Sequence, residues 1–154
     1  MAKTSMRKNA EYENYFQELG NSPNKIFDSM KDVFMFAAAV GYKYNENVPF
    51  QKAGGENIAL RFFDDDDNKI IDLIALAVTQ QIDILLSGEE YVDKKLKLIE
   101  NLANGGMGVM VNAFCKPVID TSELYKFVES FEDGSGNKPK VDIASFLQGA
   151  MGSL

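Results

Sequence analysis

Apolar residues recur along this chain mostly at the three- and four-residue spacing of a helix, and only briefly with the alternation of a strand. Residues 6–19 carry Tyr12, Tyr15, Phe16 and Leu19 on one helical face, and Gly20-Asn21-Ser22-Pro23-Asn24 then breaks the chain. A second helix is predicted over 29–40. Asp28 or Ser29 caps its start, and Gly41 stands where a C-terminal glycine belongs. Its buried stripe is Met30, Val33, Phe34, Ala37 and Val40, and the small run Ala37-Ala38-Ala39 leaves room for another helix to come close. The helical pattern lapses between 42 and 63, at Pro49, Gly54 and Gly55. There Val48-Pro49-Phe50 and the segment 58–62 read as a small β-hairpin around Ala53-Gly54-Gly55. Ile58, Leu60 and Phe62 alternate as in a half-buried strand. An ordered loop is the alternative.

The pattern resumes over 67–79. Ile70, Leu73, Ile74 and Ala77 define one face, and Ile71, Leu76 and Val78 cover most of the rest. A helix apolar nearly all round is buried, so this one is expected at the centre of the fold. Ile82, Ile84, Leu85 and Leu86 follow as a short apolar turn. Ser87 and Glu90 fit a capping box that opens a fourth helix, with Val92, Leu96, Ile99, Leu102 and Ala103 as its stripe. Glu90–Lys94 and Asp93–Lys97 are favourable i, i+4 pairs on it. Asn104-Gly105-Gly106 is expected to end that helix, and Met107, Met110, Val111 and Phe114 begin a fifth that Pro117 stops. Asp120 and Glu123 signal a sixth, carrying Leu124, Phe127, Val128 and Phe131.

Residues 133–140 read as a linker, and 141–151 as a last short helix with Val141, Ala144, Phe146, Leu147 and Met151, docked on the body or on a partner. The expected fold class is mainly α, a compact bundle of six or seven helices with one small hairpin near 48–63. Residues 1–132 form the helical domain, within which 1–26 is an N-terminal extension bearing one helix. Residues 133–154 are the linker and tail.

Composition narrows the chemistry. The chain has 154 residues, 45% hydrophobic and 25% charged, enough to bury a core without disulfides or metal. Its longest apolar run, around 70–78, is interrupted by Asp72 and falls well short of the roughly twenty residues of a membrane span. The first residues lack an apolar signal segment, and Cys115 is the lone cysteine, so a cytoplasmic location is expected. There is no histidine. That removes Ser-His-Asp and Cys-His catalysis and the usual structural zinc sites. Neither a phosphate-binding P-loop nor a dinucleotide fingerprint is present. The expectation is a protein that is not an enzyme, without catalytic, metal-binding or cofactor residues. The net charge is −7, and only Arg7 and Arg61 among the sixteen cations are arginines. Such a chain is poorly equipped for tight nucleic-acid binding by itself.

A few local features carry candidate roles. Asp64-Asp65-Asp66-Asp67 reads as a solvated helix start rather than a metal site, because acids suit the positive end of the helix dipole. A calcium loop would need a turning glycine and a terminal glutamate; Asp133-Gly134-Ser135-Gly136-Asn137 also lacks that glutamate. Lys94, Lys95 and Lys97 could touch a nucleic-acid backbone or an acidic partner, or form a solvated face. Asn104, Gly105 and Gly106 could make a backbone nest for a phosphate, or a tight interhelical turn. Tyr42 and Tyr44, with Phe50 near Pro49, could form a partner surface or a packed aromatic loop. Cys115 beside Lys116 could have a lowered pKa, but no base accompanies it.

Three segments together carry a family resemblance. They are Lys31-Asp32-Val33-Phe34-Met35-Phe36-Ala37-Ala38-Ala39-Val40-Gly41 followed by Val48-Pro49, Ile71-Asp72-Leu73-Ile74-Ala75-Leu76-Ala77 followed by Ile84-Leu85-Leu86-Ser87, and Glu100-Asn101-Leu102-Ala103-Asn104-Gly105-Gly106. In order and spacing the chain resembles, over residues 27–131, the fourth type of protein associated with bacterial DNA-phosphorothioation (Dnd) systems. The resemblance implies a non-enzymatic accessory component of an anti-phage or restriction-type locus, beside large ATPases, nucleases or DNA-modifying enzymes. It brings no catalytic residues. A larger protein of such an operon is the expected partner, with DNA met only within the complex and self-association left open. The alternative is a small DNA-binding or DNA-sensing module of the same kind of system. A third reading makes the acidic surface an imitation of DNA.

Overall fold

The computed structural model describes residues 3–116 and 118–132; the expected linker at 133–140 and short helix at 141–151 lie outside the described residues. Five α-helices are found among them: α1 (Glu13–Gly20), α2 (Met30–Lys43), α3 (Asp65–Thr79), α4 (Glu89–Met110) and α5 (Thr121–Glu132). A two-stranded antiparallel sheet joins β1 (Ser5–Met6) to β2 (Ile58–Ala59), and short 3-10 turns lie at Ala10–Tyr12, Leu60–Phe62 and Ile82–Leu85. The chain is mainly α with a small sheet, as its periodicity predicts.

The centre is the packing of α2 on α4, not α3. Small residues on both sides let the two backbones meet. Ala37 and Ala38 are fully buried on α2. Gly41 faces the Leu102 carbonyl, and Gly106 faces the Ala37 carbonyl, so closely that neither position has room for a Cβ. Hence Asn104-Gly105-Gly106 does not end a helix. The helix runs through it for 22 residues and continues as a π-helical turn at Val111–Cys115. The expected fourth and fifth helices are therefore one element. Gly41 likewise lies inside α2, and the left-handed residue beyond that helix is Asn45, with φ 55°.

Local chemistry sets the helix starts. Ser29 Oγ accepts from the Asp32 N–H at 3.2 Å and caps α2. Asp64 and Asp67 form a reciprocal capping box at α3, at 2.8 and 3.0 Å. The Asp67 N–H, and beyond it the Lys31 ammonium, hold the Asp64 carboxyl below the ordinary carboxylate range. The acid run is thus a helix start. Lys31 also pairs with Asp67 at 2.7 Å, tying α2 to α3. At α4 the cap is Gly88, without a side-chain bond, so the Ser87 capping box does not form. Asp120 Oδ1 accepts from Ser122 and Glu123 and opens α5.

The sheet differs from the expected hairpin. Residues 58–59 do form a strand, but it pairs with Ser5–Met6 rather than with 48–50, and Leu60–Phe62 curls into a 3-10 turn. The N-terminal segment continues antiparallel along the same loop, through Gly54 N–H to Lys8 O at 3.0 Å and Ala10 N–H to Lys52 O at 2.9 Å. Residues 3–20 are therefore part of the body. Met6, Phe16 and Leu19 are buried. Lys8 is buried too, with its ammonium 2.8 Å from Glu13 Oε2 and over the Phe16 ring. Glu100, 2% exposed on α4, accepts the Arg7 N–H at 2.6 Å and pairs with Lys3 at 2.7 Å.

Candidate functional site

The three lysines do not act as one basic patch. Lys94 and Lys97 are exposed, one turn apart on α4. Lys95 turns to α3 and pairs with Asp72 at 2.8 Å. Asp93, the expected partner of Lys97, accepts the Lys3 N–H at 3.0 Å.

Asn104, Gly105 and Gly106 are buried. Asn104 donates to Val48 O at 2.8 Å and accepts from Asn9 Nδ2 at 3.0 Å. It thereby pins the 44–50 loop and the N-terminal segment to α4. Gly105 lies against the Glu46 carbonyl and Gly106 against α2. Mid-helix amides are used within the helix, so no phosphate nest forms there. Only a cleft of about 240 Å³ opens beside Asn104, between Tyr12, Glu46, Val48 and Asn112.

Tyr42 and Tyr44 pack against the core. Tyr44 stacks on Phe127, with ring centroids 5.9 Å apart and planes at 11°. Phe131 closes on the same two rings, at 4.9 Å from Phe127 and 6.3 Å from Tyr44. This aromatic seam fastens α5 to α2. Phe50 is covered separately by the Arg7 guanidinium at 5.2 Å. The three aromatics therefore serve different internal contacts.

Among the described residues no group of three or more Cys, Asp or Glu could hold a metal ion. A cleft of about 450 Å³ lies between α1, α2 and the loop before α3, but its two lysines, Lys8 and Lys31, are already paired with acids. Cys115 is buried. Burial first, and then the Glu18 carboxylate, push its thiol up from 9.0 to about 11, the opposite of the lowering that Lys116 suggests. Between these two values the unfolded chain gives up the thiol proton while the folded chain keeps it. Stability therefore falls as pH rises from 9.0 to about 11. At pH 8 a maleimide is expected to label the native protein at least about 100-fold more slowly than the urea-unfolded chain, because thiolate is the reacting form. Equal rates would show that the thiol is open.

Two outer surfaces stand out instead. The first is a ridge that sequence periodicity assigns to the core. α3 buries Ile71, Ile74, Ala75 and Ala77 but leaves Ile70 and Leu73 44% and 37% exposed, one turn apart. The Ile82–Leu85 turn packs back on α3 and α4 through Ile84, and exposes Ile82 (78%), Leu85 and Leu86. Exposed charges lie near these residues in the chain: Asp65, Asp66 and Lys69 on α3, Asp83 in the turn, and Glu90 at the start of α4. The second surface is an apolar groove of about 510 Å³ between α5 and α2, lined by Ile26, Phe27, Phe36, Leu124, Tyr125 and Val128. No helix of the described residues is long and apolar enough to cross a membrane.

The fold and its surfaces define a small, mainly α-helical protein whose most developed outer features are exposed apolar surfaces. The chain belongs to the family of DNA sulphur modification system-associated protein 4, whose sequence profile matches residues 6–146. The match extends beyond 27–131 at both ends, and it takes in Met6 of β1 and all of α1. No curated protein and no solved structure matches the chain.

Proposed function

We propose that this chain is a non-enzymatic accessory subunit of a bacterial DNA sulphur modification system, and that it acts by docking on a larger protein of that system. The observation that carries the reading is the ridge of Ile70, Leu73, Ile82, Leu85 and Leu86, five large apolar side chains held out by two elements whose other faces are buried. Exposed apolar surface of this kind marks a contact site. Exposed acids near it, Asp65, Asp66, Asp83 and Glu90, outnumber Lys69 and favour a partner groove with an apolar floor and a mainly basic rim. The family association supplies the setting. DNA would be met only through the complex, since Lys95 is drawn away from Lys94 and Lys97 to Asp72 and the net charge is −7.

The test is capture of the products of the neighbouring genes by the tagged, full-length chain. A double substitution, Ile82→Asp with Leu86→Asp, is expected to reduce capture by at least about tenfold, as the loss of apolar anchors does. It should leave the thermal midpoint nearly unchanged, because these side chains are 78% and 51% exposed. Undiminished capture by this variant would remove the ridge from the interface. A wild-type chain that captures none of those products would remove the reading itself.

A further inference from the structure

We propose that the outer edge of β2 is a strand-addition site. An extended segment of another protein, carrying an apolar residue and a lysine or arginine, pairs there with Asn57 and Ala59 and lays side chains in the cleft beside α1 and α2. This inference does not rest on the docking ridge and uses different residues.

The register decides which backbone groups are spent. Ser5 lies opposite Ala59 and Met6 opposite Ile58, and the Leu60 N–H donates to Thr4 O at 3.0 Å. In an antiparallel ladder bonded pairs alternate with unbonded ones, so Thr4–Leu60 and Met6–Ile58 are bonded and Ser5–Ala59 is not. Peptide planarity then turns the Asn57 carbonyl and the Ala59 N–H away from β1. Neither group has a hydrogen-bond partner among the described residues. The other edge is the contrast. On β1's side the outward N–H groups of Lys3 and Arg7 donate to Asp93 at 3.0 Å and to buried Glu100 at 2.6 Å. Carboxylates of α4 thus close one edge of the sheet, while the other stays bare. A bare edge is a template for a further strand.

The free groups also fix the direction of that strand. The Asn57 carbonyl and the Ala59 N–H flank Ile58, the spacing at which one residue of a parallel strand donates to the first and accepts from the second. The Ala59 carbonyl, which antiparallel pairing would need, opens the 3-10 turn at Leu60–Phe62.

The cleft of about 450 Å³ adjoins this edge. Asn57 and Ile58 line it on the β2 side, Gln17 and Asn21 on the α1 side, and Met30 and Phe62 give it apolar surface, with Phe62 57% exposed. Alternate side chains of an added strand face one side, so an apolar one would meet Met30 and Phe62. Lys8 and Lys31 are held by acids, and Arg61 lies over the Phe62 ring at 4.9 Å. Glu56 is the lining charge without an ion pair among the described residues, and a basic side chain of the added strand would supply one.

The test uses the full chain and a phage-displayed library of random peptides, with Ala59→Pro as the comparison. Ala59 already has φ −62°, the value a proline ring imposes, and it would lose only the outward N–H. The variant should therefore keep the folded spectrum and the melting midpoint. Peptides selected on the parent are expected to bind it at least about tenfold more weakly. Hydrogen exchange in the unsubstituted chain gives a reading that needs no variant. The Ala59 amide should exchange quickly when free and at least about tenfold more slowly with peptide bound, while the Ile58 amide is protected in both states. Selection of no peptide, equal binding by parent and variant, or an Ala59 amide already protected in the free chain would overturn the proposal. So would protection of Ala59 that rises with protein concentration alone, which would assign the edge to a second copy. None of these results bears on the ridge, whose test reads Ile82 and Leu86.

Discussion

Gly106→Ala is expected to cost about 3 kcal/mol of stability, although alanine is the better helix former by about 1 kcal/mol. The reason is steric. A Cβ at residue 106 would fall on the Ala37 carbonyl and crowd the Gly41 backbone, so α2 and α4 would have to separate along the most heavily packed contact of the fold. For a domain of this size the thermal midpoint should drop by roughly 6–12 °C. Gly108→Ala supplies the comparison within the same helix. There the new methyl meets only the Tyr12 hydroxyl at 3.2 Å, the free end of a side chain. That variant should stay within about 1 kcal/mol of the parent. Equal melting curves for the two variants would mean that the helices do not cross at Gly106.

Glu100→Ala should be about as damaging, roughly 3 kcal/mol, the low end of the range for breaking a buried ion pair, because the Lys3 side chain is 21% exposed and keeps some water. Its carboxylate is 2% exposed and accepts from the Arg7 N–H at 2.6 Å while meeting the Lys3 ammonium at 2.7 Å. Alanine would leave a cavity, a backbone donor without its acceptor, and a lysine without its counter-ion. The loss should appear first in the N-terminal segment, as faster hydrogen exchange at Met6 and Leu60, whose amides belong to the β1–β2 region. Glu100→Gln keeps an oxygen for the Arg7 N–H and should recover part of the stability. Unchanged exchange and an unchanged melt in Glu100→Ala would show that the segment is held without this carboxylate.

These two sites also show where the sequence could and could not be read. The acid run at 64–67 announces the start of α3 because a helix cap is a local event, complete within four residues. The small residues Ala37-Ala38-Ala39 announce a close helix approach, and α4 makes it at Ala37. Gly105-Gly106 misled for the opposite reason. Adjacent glycines usually end a helix, and only the neighbouring backbone of α2 reveals that they are there for lack of a Cβ. Lys8 and Glu100 read as surface charges until their partners, Glu13 and Lys3, are brought to them. β1 was hidden for the same reason, since Lys8 interrupts the apolar alternation that Met6 begins.

The same division holds for the candidate sites. Tyr42, Tyr44, Asn104, Gly105 and Gly106 read from the sequence as candidate binding positions, and in the fold their contacts turn inward, to Phe127, Val48, Asn9 and α2. The ridge was invisible beforehand because α3 is apolar on almost every side. Periodicity tells which residues are apolar; it does not tell which of two apolar faces a neighbour will cover.

By itself, then, the order of residues determined the helical class, the main breaks, the start of α3 and the family. These depend on spacing within a few residues or on a pattern of segments in line. The pairing of β1 with β2, the burial of Glu100, the α2–α4 crossing and the exposed side of α3 were decided only in three dimensions. Each depends on groups far apart in the chain, about 93 residues apart for Arg7 and Glu100, whose meeting is set by the packing of whole helices.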